Sequence, residues 1–368
     1  MIALPLPDGI RSRQIEGVNG LSMHMLEAGA PGRPCIVLLH GFPELAFSWR
    51  AVMPTLAAAG YHVIAPDQRG FGRTTGWDAA YDTDLASFRA LNIVVDLLAL
   101  LDRIGVVSVA MIVGHDAGSQ IAGLAALARP DIFARLVLMS APFTGPLGFP
   151  TGNGRSPAAA LAAALAALDP PRKHYVHHYA TPAANADLVD CPQGLSAFLR
   201  GYFHMKSGDW PADDPAPLAG ASAADFARLP RYYVMDRDRG MAATVAPGLP
   251  SPAEIAACDW LTDADLAVYA GEYARTGFQG GLNWYRCFAD EQRADQRLFA
   301  GRTIDVPALF IAGARDWGIH QTPGALAAMQ ARTCTRMAPP LLIAGAGHWV
   351  QQEAAPAVAA ALLAHVAG

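Results

Sequence analysis

The chain has 368 residues, of which 52% are hydrophobic and 16% are charged, and its formal net charge is −5. This length exceeds the usual size of a single domain and predicts one large core with a second, inserted or appended unit. The negative charge disfavours nucleic acid as a partner, because a surface that binds nucleic acid needs basic residues to neutralise phosphates.

Five cysteines are scattered along the chain, and no two of them form a Cys-x-x-Cys pair. This pattern disfavours a disulfide framework and a structural zinc site, and it predicts a protein of a reducing compartment. The first residues show no basic segment followed by an apolar one, which disfavours a secretory signal. The most apolar segment, 158–168, is too short to span a bilayer. These features predict a cytoplasmic protein with no membrane span and no bound metal.

Short runs of Val, Ile and Leu alternate with helix-like segments in the first part of the chain. Continuous apolar strands separated by helices are typical of a parallel sheet that is covered on both faces. The predicted strands are 35–39, 61–64, 107–113 and 136–139. The predicted helices are 87–104 and 119–127.

The strand-like runs then stop, and the sequence becomes rich in Ala, Pro and aromatic residues with helical spacing. Strand-like runs return at 306–311 and 340–343. The sequence therefore predicts an α/β core built from residues 1–145 and 301–368, with a mainly helical cap at 146–300 inserted between them.

Asp116 lies between a predicted strand and a predicted helix, in the run 114–118 (Gly-His-Asp-Ala-Gly). A tight turn that presents a nucleophile needs small residues on both sides, as in the Gly-x-Ser-x-Gly motif, but here Asp stands in the place of Ser. The alternative is an Asp that only caps the following helix. The position directly after a buried strand favours a carboxylate nucleophile.

Asp316 and His348 follow the last two predicted strands. Hydrolases with such a turn place an acid and then a histidine after the nucleophile in the chain, in this order. The sequence therefore predicts His348 as the base and Asp316 as the acid that orients it.

The run 40–44 (His-Gly-Phe-Pro-Glu) follows the strand 35–39. The backbone N–H groups of Phe42 and Ala117 are predicted to stabilise the negative charge that develops during the reaction. For the tryptophans beside the predicted acid and base, core packing is an alternative to a position in the pocket. The residues expected to line the substrate pocket are His40, Pro43, Trp317, Trp349 and Tyr179.

Three motifs together resemble soluble epoxide hydrolases of the α/β-hydrolase superfamily. They are the run 40–44, the Gly-His-Asp-x-Gly run around Asp116, and Gly-His-Trp at 347–349. The resemblance covers essentially the whole chain. It implies an α/β-hydrolase fold, with a mostly parallel central sheet flanked by helices and an inserted, mainly helical cap.

The resemblance also implies two cap tyrosines that protonate the epoxide oxygen. The run 281–286 (Gly-Leu-Asn-Trp-Tyr-Arg) is similar to the second tyrosine motif of the family and gives Tyr285. The first tyrosine corresponds to Tyr175, and Tyr179 is the alternative. Ala117 departs from the family, which often has an aromatic residue after the nucleophile, and this difference is expected to widen the floor of the pocket.

The implied reaction has two steps. Asp116 opens the epoxide and forms an alkyl ester while a tyrosine protonates the leaving oxygen, and His348, held by Asp316, then activates water to hydrolyse the ester. The partners are a small-molecule epoxide and water, and no cofactor is expected. The oligomeric state stays open, with a homodimer as one candidate.

Two other functions fit parts of the sequence. A haloalkane or haloacid dehalogenase shares the Asp-His-Asp set, but its halide needs N–H donors, typically from a Trp in the position of Ala117. A haloacid enzyme resembling fluoroacetate dehalogenase has arginines after the nucleophile, where this chain has Ser119 and Gln120. A ligand-binding protein of the same fold without catalysis usually lacks one of the reactive groups, all of which are present here.

Overall fold

The computed structural model describes residues 3–149, 157–212, 214–289 and 291–368. Within these ranges the chain forms ten β-strands and fifteen α-helices. The strands are β1 (Ile10–Val18), β2 (Leu21–Ala28), β3 (Cys35–Leu39), β4 (His62–Pro66), β5 (Val109–His115), β6 (Leu136–Met139), β7 (Arg172–His174), β8 (Val234–Asp236), β9 (Ala308–Gly313) and β10 (Leu341–Ile343). The helices up to residue 205 are α1 (Met53–Ala58), α2 (Ala90–Arg103), α3 (Ala117–Ala128), α4 (Pro157–Ala166), α5 (Tyr175–Tyr179), α6 (Ala184–Val189) and α7 (Leu195–Met205). The later helices are α8 (Ala223–Phe226), α9 (Met241–Val245), α10 (Pro252–Ala257), α11 (Asp263–Thr276), α12 (Gln279–Arg286), α13 (Ala325–Ala328), α14 (Val350–Glu353) and α15 (Ala355–Ala367).

Eight strands form one sheet in the order β1-β2-β4-β3-β5-β6-β9-β10. The pairs β1–β2 and β2–β4 are antiparallel, whereas all pairs from β4 to β10 are parallel. The central strands β3, β5 and β6 are buried along nearly their whole length, as expected for parallel strands between two helical layers. The predicted α/β class with a mostly parallel sheet is confirmed.

Helices cover both faces of this sheet and create two hydrophobic clusters. Along β3, Ile36 and Leu38 belong to the cluster that includes α1 and α15. Val37 and Leu39 belong to the other cluster, which includes α2 and α3 and continues into the segment between β6 and β9. This alternation follows from the two-residue period of a strand, which points successive side chains to opposite faces.

Between β6 and β9 the chain leaves the sheet and forms a mainly helical cap that contains α4 to α12. The cap also contains a two-stranded antiparallel sheet, β7–β8, which the sequence did not predict. Each of these strands has three residues, and such a short strand gives no readable alternation. The cap limits at 146 and 300 stay a prediction, since the structure shows only that the large sheet stops at Met139 and resumes at Ala308.

The predicted strand positions agree closely with the structure at the centre of the sheet. β3 and β6 begin and end where predicted, and β4, β5 and β9 are displaced by one or two residues towards the C-terminus. β1 and β2 were missed. β1 is an edge strand with mostly exposed, polar residues, and the apolar pattern of β2 is interrupted by His24 and Glu27, which are buried because they bind partners such as Asp67 and Arg13.

None of the described helices combines the length and the apolar surface that crossing a bilayer requires.

A buried ion pair joins the loop after β4 to helix α2. Arg69 donates two hydrogen bonds to the carboxylate of Asp96, at 2.7 and 2.8 Å, and both side chains are buried. Such a pair is energetically sensitive because removal of one partner leaves the other charge buried without compensation.

We expect Asp96→Ala to lower the free energy of unfolding by about 3–5 kcal/mol, because it leaves the Arg69 guanidinium buried without its carboxylate. Asp131→Ala is the matched control, since it breaks the exposed pair Arg129–Asp131 and should leave stability nearly unchanged. Urea denaturation followed by circular dichroism measures both variants. Equal losses of stability would contradict the prediction.

Candidate active site

Asp116 forms the sharp turn between β5 and α3. β5 ends at His115 and α3 begins at Ala117, so one residue makes the whole connection. Its backbone angles, φ 52° and ψ −119°, lie in a region that residues other than glycine rarely adopt. This conformation places the carboxylate at the N-terminus of α3, where the helix dipole favours a negative charge.

Close backbone packing around Asp116 requires three glycines. A Cβ atom on Gly118 would lie 2.5 Å from the carbonyl oxygen of Leu39, and one on Gly114 would overlap the carbonyl of Gly118. A Cβ atom on Gly41 would lie 2.6 Å from Oδ1 of Asp116. The small residues predicted around the nucleophile therefore have a steric reason, because no side chain fits between these segments.

The carboxylate of Asp116 is buried but has partners at both oxygens. The N–H of Phe42 donates to Oδ1 at 3.0 Å, and Nε2 of His348 lies 3.5 Å from Oδ2. Burial raises the pKa of Asp116, but the hydrogen bond and charge of His348 and the charge of Lys206 outweigh it and lower the pKa below its usual value. Asp116 is therefore ionised at neutral pH and available as a nucleophile.

His348 lies between two carboxylates. Its Nδ1–H donates to Asp316, at 3.0 Å to Oδ1 and 3.2 Å to Oδ2, and Asp316 also accepts the N–H of Gly318 at 2.6 Å. Burial and the charge of Lys206 lower the pKa of His348, but Asp316 and Asp116 outweigh them and raise it to about 9. The structure thus brings the predicted nucleophile, base and acid together, with His348 hydrogen-bonded to Asp316 and its Nε2 3.5 Å from Asp116.

A second buried network lies behind His348, and the sequence did not reveal it. His115 contacts Oε2 of Glu44 through Nδ1 at 2.5 Å and the carbonyl oxygen of His348 through Nε2 at 2.8 Å. The other oxygen of Glu44 accepts hydrogen bonds from the side chains of Gln351 and Gln352. Because Glu44 is fully buried, this network fixes the loop that carries His348. The only signal in the sequence is the charged residue at the end of the run 40–44.

Asp116 opens into a cavity of about 370 Å³ between the core and the cap. Tyr175, the first residue of α5, and Tyr285 in α12 line the same cavity, with their ring centroids 5.8 Å apart. Burial and the charge of Asp116 raise the pKa of each hydroxyl well above its usual value. Both phenols are therefore protonated and can donate hydrogen bonds to a group that faces Asp116. Ala117 also lines the cavity.

Tyr179, the alternative to Tyr175 as the first cap tyrosine, does not line the cavity. It is fully buried, and its hydroxyl has no hydrogen-bond partner among the described residues. Its ring packs against Phe42 and Tyr285, at centroid distances of 5.3 and 4.9 Å. Of the two candidates for the first cap tyrosine, only Tyr175 lines the cavity with Asp116.

The residues that line this cavity differ from the lining expected from the sequence. The lining residues of the cavity do not include any of the five expected ones, His40, Pro43, Trp317, Trp349 and Tyr179. All five are buried by packing. Trp349, for example, donates from Nε1 to the carbonyl oxygen of Phe203 at 2.8 Å, and His40 accepts the N–H of Gln68. For Trp317 and Trp349, the alternative of core packing fits the structure, since both belong to the buried hydrophobic cluster.

In the part of the chain that the structure describes, no group of three or more His, Cys, Asp or Glu side chains is arranged to hold a metal ion.

The fold and these side chains define the class of the protein. A strand–nucleophile–helix turn, followed by an acid after β9 and a histidine after β10, is the arrangement of an α/β-hydrolase, here with a carboxylate at the nucleophile position. The family model for the alpha/beta hydrolase fold matches residues 34–187.

Known proteins identify the family more closely. The chain is 35% identical to epoxide hydrolase A of Mycobacterium tuberculosis over 98% of both chains. It is 32% identical to epoxide hydrolase 2 of Siraitia grosvenorii over 91% of this chain and 92% of that one. Among solved structures, an epoxide hydrolase from an endophytic Streptomyces has a TM-score of 0.79 at 31% identity, over 98% and 96% of the two chains. Epoxide hydrolase I of potato (Solanum tuberosum) has a TM-score of 0.74 at 29% identity, over 97% and 99%. The chain therefore belongs to the epoxide hydrolase family.

We expect Gly41→Ala to lower activity by about 10²-fold with little effect on the fold, because the added methyl group displaces the Asp116 carboxylate from its partners. Gly148→Ala is the control, since its added Cβ meets no atom within 4 Å. Steady-state rates on an epoxide, together with circular dichroism spectra, test the pair. Full activity of Gly41→Ala would show that the position of the carboxylate is less restricted than the packing indicates.

Proposed function

We propose that the protein hydrolyses epoxides to vicinal diols through an ester between the substrate and Asp116. The observation that carries this proposal is that one cavity contains an ionised carboxylate and two protonated tyrosines, Tyr175 and Tyr285. The carboxylate supplies the nucleophile, and the phenols supply acids for the leaving oxygen.

In the first step, an oxygen of Asp116 attacks an epoxide carbon and the bond from that carbon to the ring oxygen breaks. The leaving oxygen would be a strongly basic alkoxide, so it needs a proton as the bond breaks. Tyr175 or Tyr285 donates that proton, and the tyrosine recovers it from solvent. The products of this step are an alkyl ester on Asp116 and a free hydroxyl group.

In the second step, His348 takes a proton from a water molecule, and the water attacks the ester carbonyl of Asp116. The N–H of Phe42, which already donates to Oδ1 of Asp116, and the N–H of Ala117 at the N-terminus of α3 stabilise the negative charge on the carbonyl oxygen. The ester C–O bond then breaks, the leaving oxygen takes the proton held by His348, and the diol leaves. The new carboxylic acid of Asp116 gives its proton to the imidazole, which restores the carboxylate and the protonated His348 of the free enzyme.

The charge of Asp116 controls whether His348 can act as a base. In the free enzyme, the carboxylates of Asp116 and Asp316 raise the pKa of His348 to about 9, so the imidazole is protonated at neutral pH. Ester formation removes the charge of Asp116. The pKa of His348 then falls, and the imidazole becomes able to accept a proton from water when the ester needs it.

A dehalogenase would use the same three groups but would release a halide. A halide is a weak base that needs N–H donors rather than acids. Ala117 has no such side-chain donor, and the tyrosines of this cavity match an alkoxide. The named relatives are epoxide hydrolases as well, so the observations favour the epoxide.

We expect His348→Gln to accumulate the ester, because alkylation needs Asp116 and the tyrosines, whereas hydrolysis needs the imidazole. Intact-mass spectrometry after mixing with styrene oxide should show an increase equal to the mass of the epoxide, located by peptide mapping at Asp116. The variant Asp116→Ala should show no adduct and no turnover.

Absence of an adduct with terminal, internal and aromatic epoxides, combined with halide release from haloalkanes, would replace this proposal by the dehalogenase. In the wild-type protein, a single turnover in ¹⁸O-water should label the carboxylate of Asp116, because water attacks the ester carbonyl.

We expect Tyr175→Phe and Tyr285→Phe each to lower the rate of ester formation by about 10²-fold, because a positioned acid for the leaving oxygen is lost. Tyr179→Phe should react at the wild-type rate, since the hydroxyl of Tyr179 has no partner among the described residues. Stopped-flow fluorescence under single-turnover conditions separates ester formation from hydrolysis. A large loss in Tyr179→Phe, with none in Tyr175→Phe, would exchange the roles of the two residues.

A further inference from the structure

Lys206 is a buried cation beside the active site. It is one of two lysines among the 27 lysines and arginines of the chain, it directly follows α7, and it is 4% exposed. Its ammonium lies over four aromatic rings, which we call the ring cage. The distances from Nζ to the ring centroids are 5.1 Å for Tyr202, 5.7 Å for Tyr232, 4.9 Å for Tyr233 and 5.3 Å for Trp349.

The ring cage holds the ammonium by cation–π attraction instead of by a carboxylate. No Asp or Glu of the described residues forms an ion pair with Lys206. Aromatic faces attract a cation but do not cancel its charge. The positive charge of Lys206 therefore acts on its surroundings more strongly than the charge of a lysine paired with a carboxylate would.

Lys206 is connected directly to the residue that the proposed mechanism uses as a base. Its carbonyl oxygen accepts the N–H of His348 at 2.7 Å. Trp349, one wall of the ring cage, follows His348 in the chain, and the two rings are 4.7 Å apart. The charge of Lys206 lowers the pKa of both His348 and Asp116.

The other charged or titratable groups around His348 are the carboxylates of Asp116, Asp316 and Glu353 and the hydrogen-bonded pair His115–Glu44. Glu353 accepts the N–H groups of Gly347 and Trp349, the neighbours of His348 in the chain, at 2.8 and 2.9 Å, and burial raises its pKa to about 7. Asp116 faces Nε2, and Asp316 faces Nδ1. The ring of His115 lies 5.0 Å away, and His115 is paired with Glu44. In the free enzyme, the two carboxylates that face the ring nitrogens of His348 thus oppose the positive charge of Lys206. Once Asp116 is an ester, Asp316 alone of these two keeps its negative charge, and the effect of Lys206 on His348 is no longer outweighed by the pair.

We propose that Lys206 is a positioning residue for the second step, and that its caged ammonium keeps the imidazole of His348 neutral after Asp116 has been esterified. The inference rests on the proposed function, because it assigns Lys206 a role in hydrolysis of the ester. A proton on His348 would place two positive charges close together in a buried site, which is unfavourable. Lys206 thereby favours the form of His348 that can accept a proton from water.

The first test needs no substrate. NMR titration of histidine-labelled protein should give a pKa of His348 that is higher in Lys206→Met by about one pH unit, because a neighbouring positive charge has been removed. Comparison with His348→Gln identifies the resonance. Lys206→Arg keeps the charge and should keep the wild-type value. Lys173→Met is the matched control, since it removes the same charge at the other lysine of the chain.

The second test follows ester hydrolysis in single turnovers of styrene oxide as a function of pH. A neutral His348 is required in this step, so the rate constant falls on the acid side of its pKa. In Lys206→Met this acid limb should move to higher pH by about one unit, with ester formation at neutral pH changed much less. Lys206→Arg should restore the wild-type position of the limb.

The outcomes separate the two proposals. If Lys206→Met loses stability while the titration of His348 and the acid limb stay at their wild-type positions, Lys206 only packs the cap and the inference is wrong. If Lys206→Met does not fold, Lys206→Gln takes its place in the same two measurements. If no epoxide forms an ester but the titration still shifts, the proposed function fails, and the charge coupling between Lys206 and His348 is established without it.

Discussion

A buried carboxylate beside a buried imidazole is the constraint on which the rest of this structure depends. Asp116 can keep its charge away from water only because the N–H of Phe42 and the ring of His348 replace the lost hydration. His348 in turn needs the carboxylate of Asp316 to hold its ring and its protonation state. The loops after β3, β9 and β10 carry Phe42, Asp316 and His348. Each loop must therefore lie where its residue can help to stabilise the carboxylate in the turn after β5.

The core and the cap contribute different kinds of groups to the cavity. The core supplies the carboxylate of Asp116, and the proposed base and acid, His348 and Asp316, lie beside it. The cap lines the cavity with the protonated hydroxyls of Tyr175 and Tyr285, and the caged Lys206 lies outside the cavity, where its carbonyl oxygen binds His348. Phe42 joins the two parts, because its N–H binds Asp116 while its ring packs against Tyr285 at 5.3 Å. A small movement of the cap would thus alter both the acids and the charge near the base.

The sequence predicted most accurately the strands that are buried on both faces of the sheet. β3 and β6 lie between two helical layers, so their residues are apolar without interruption and their limits could be read directly. β2 is buried too, but Glu27 within it is satisfied by Arg11, Arg13 and His62, and a polar residue in a strand hides the pattern. The partners of such residues lie in distant parts of the chain. The sequence around the strand therefore does not show that the polar residue can be buried.

The sequence by itself supplied the groups on which the proposed chemistry rests: a carboxylate at a strand-to-helix turn, followed in order by Asp316 and His348, and, through the family resemblance, a tyrosine motif at Tyr285. Asp116, Asp316 and His348 follow strand ends, and the carboxyl ends of parallel strands meet at one edge of a sheet, so the meeting of these three residues was predictable. Only the tertiary structure decided which side chains face the cavity and that Lys206 adds its charge beside His348. Those facts depend on the angle at which cap helices cross the core, and this angle results from packing between segments far apart in the chain.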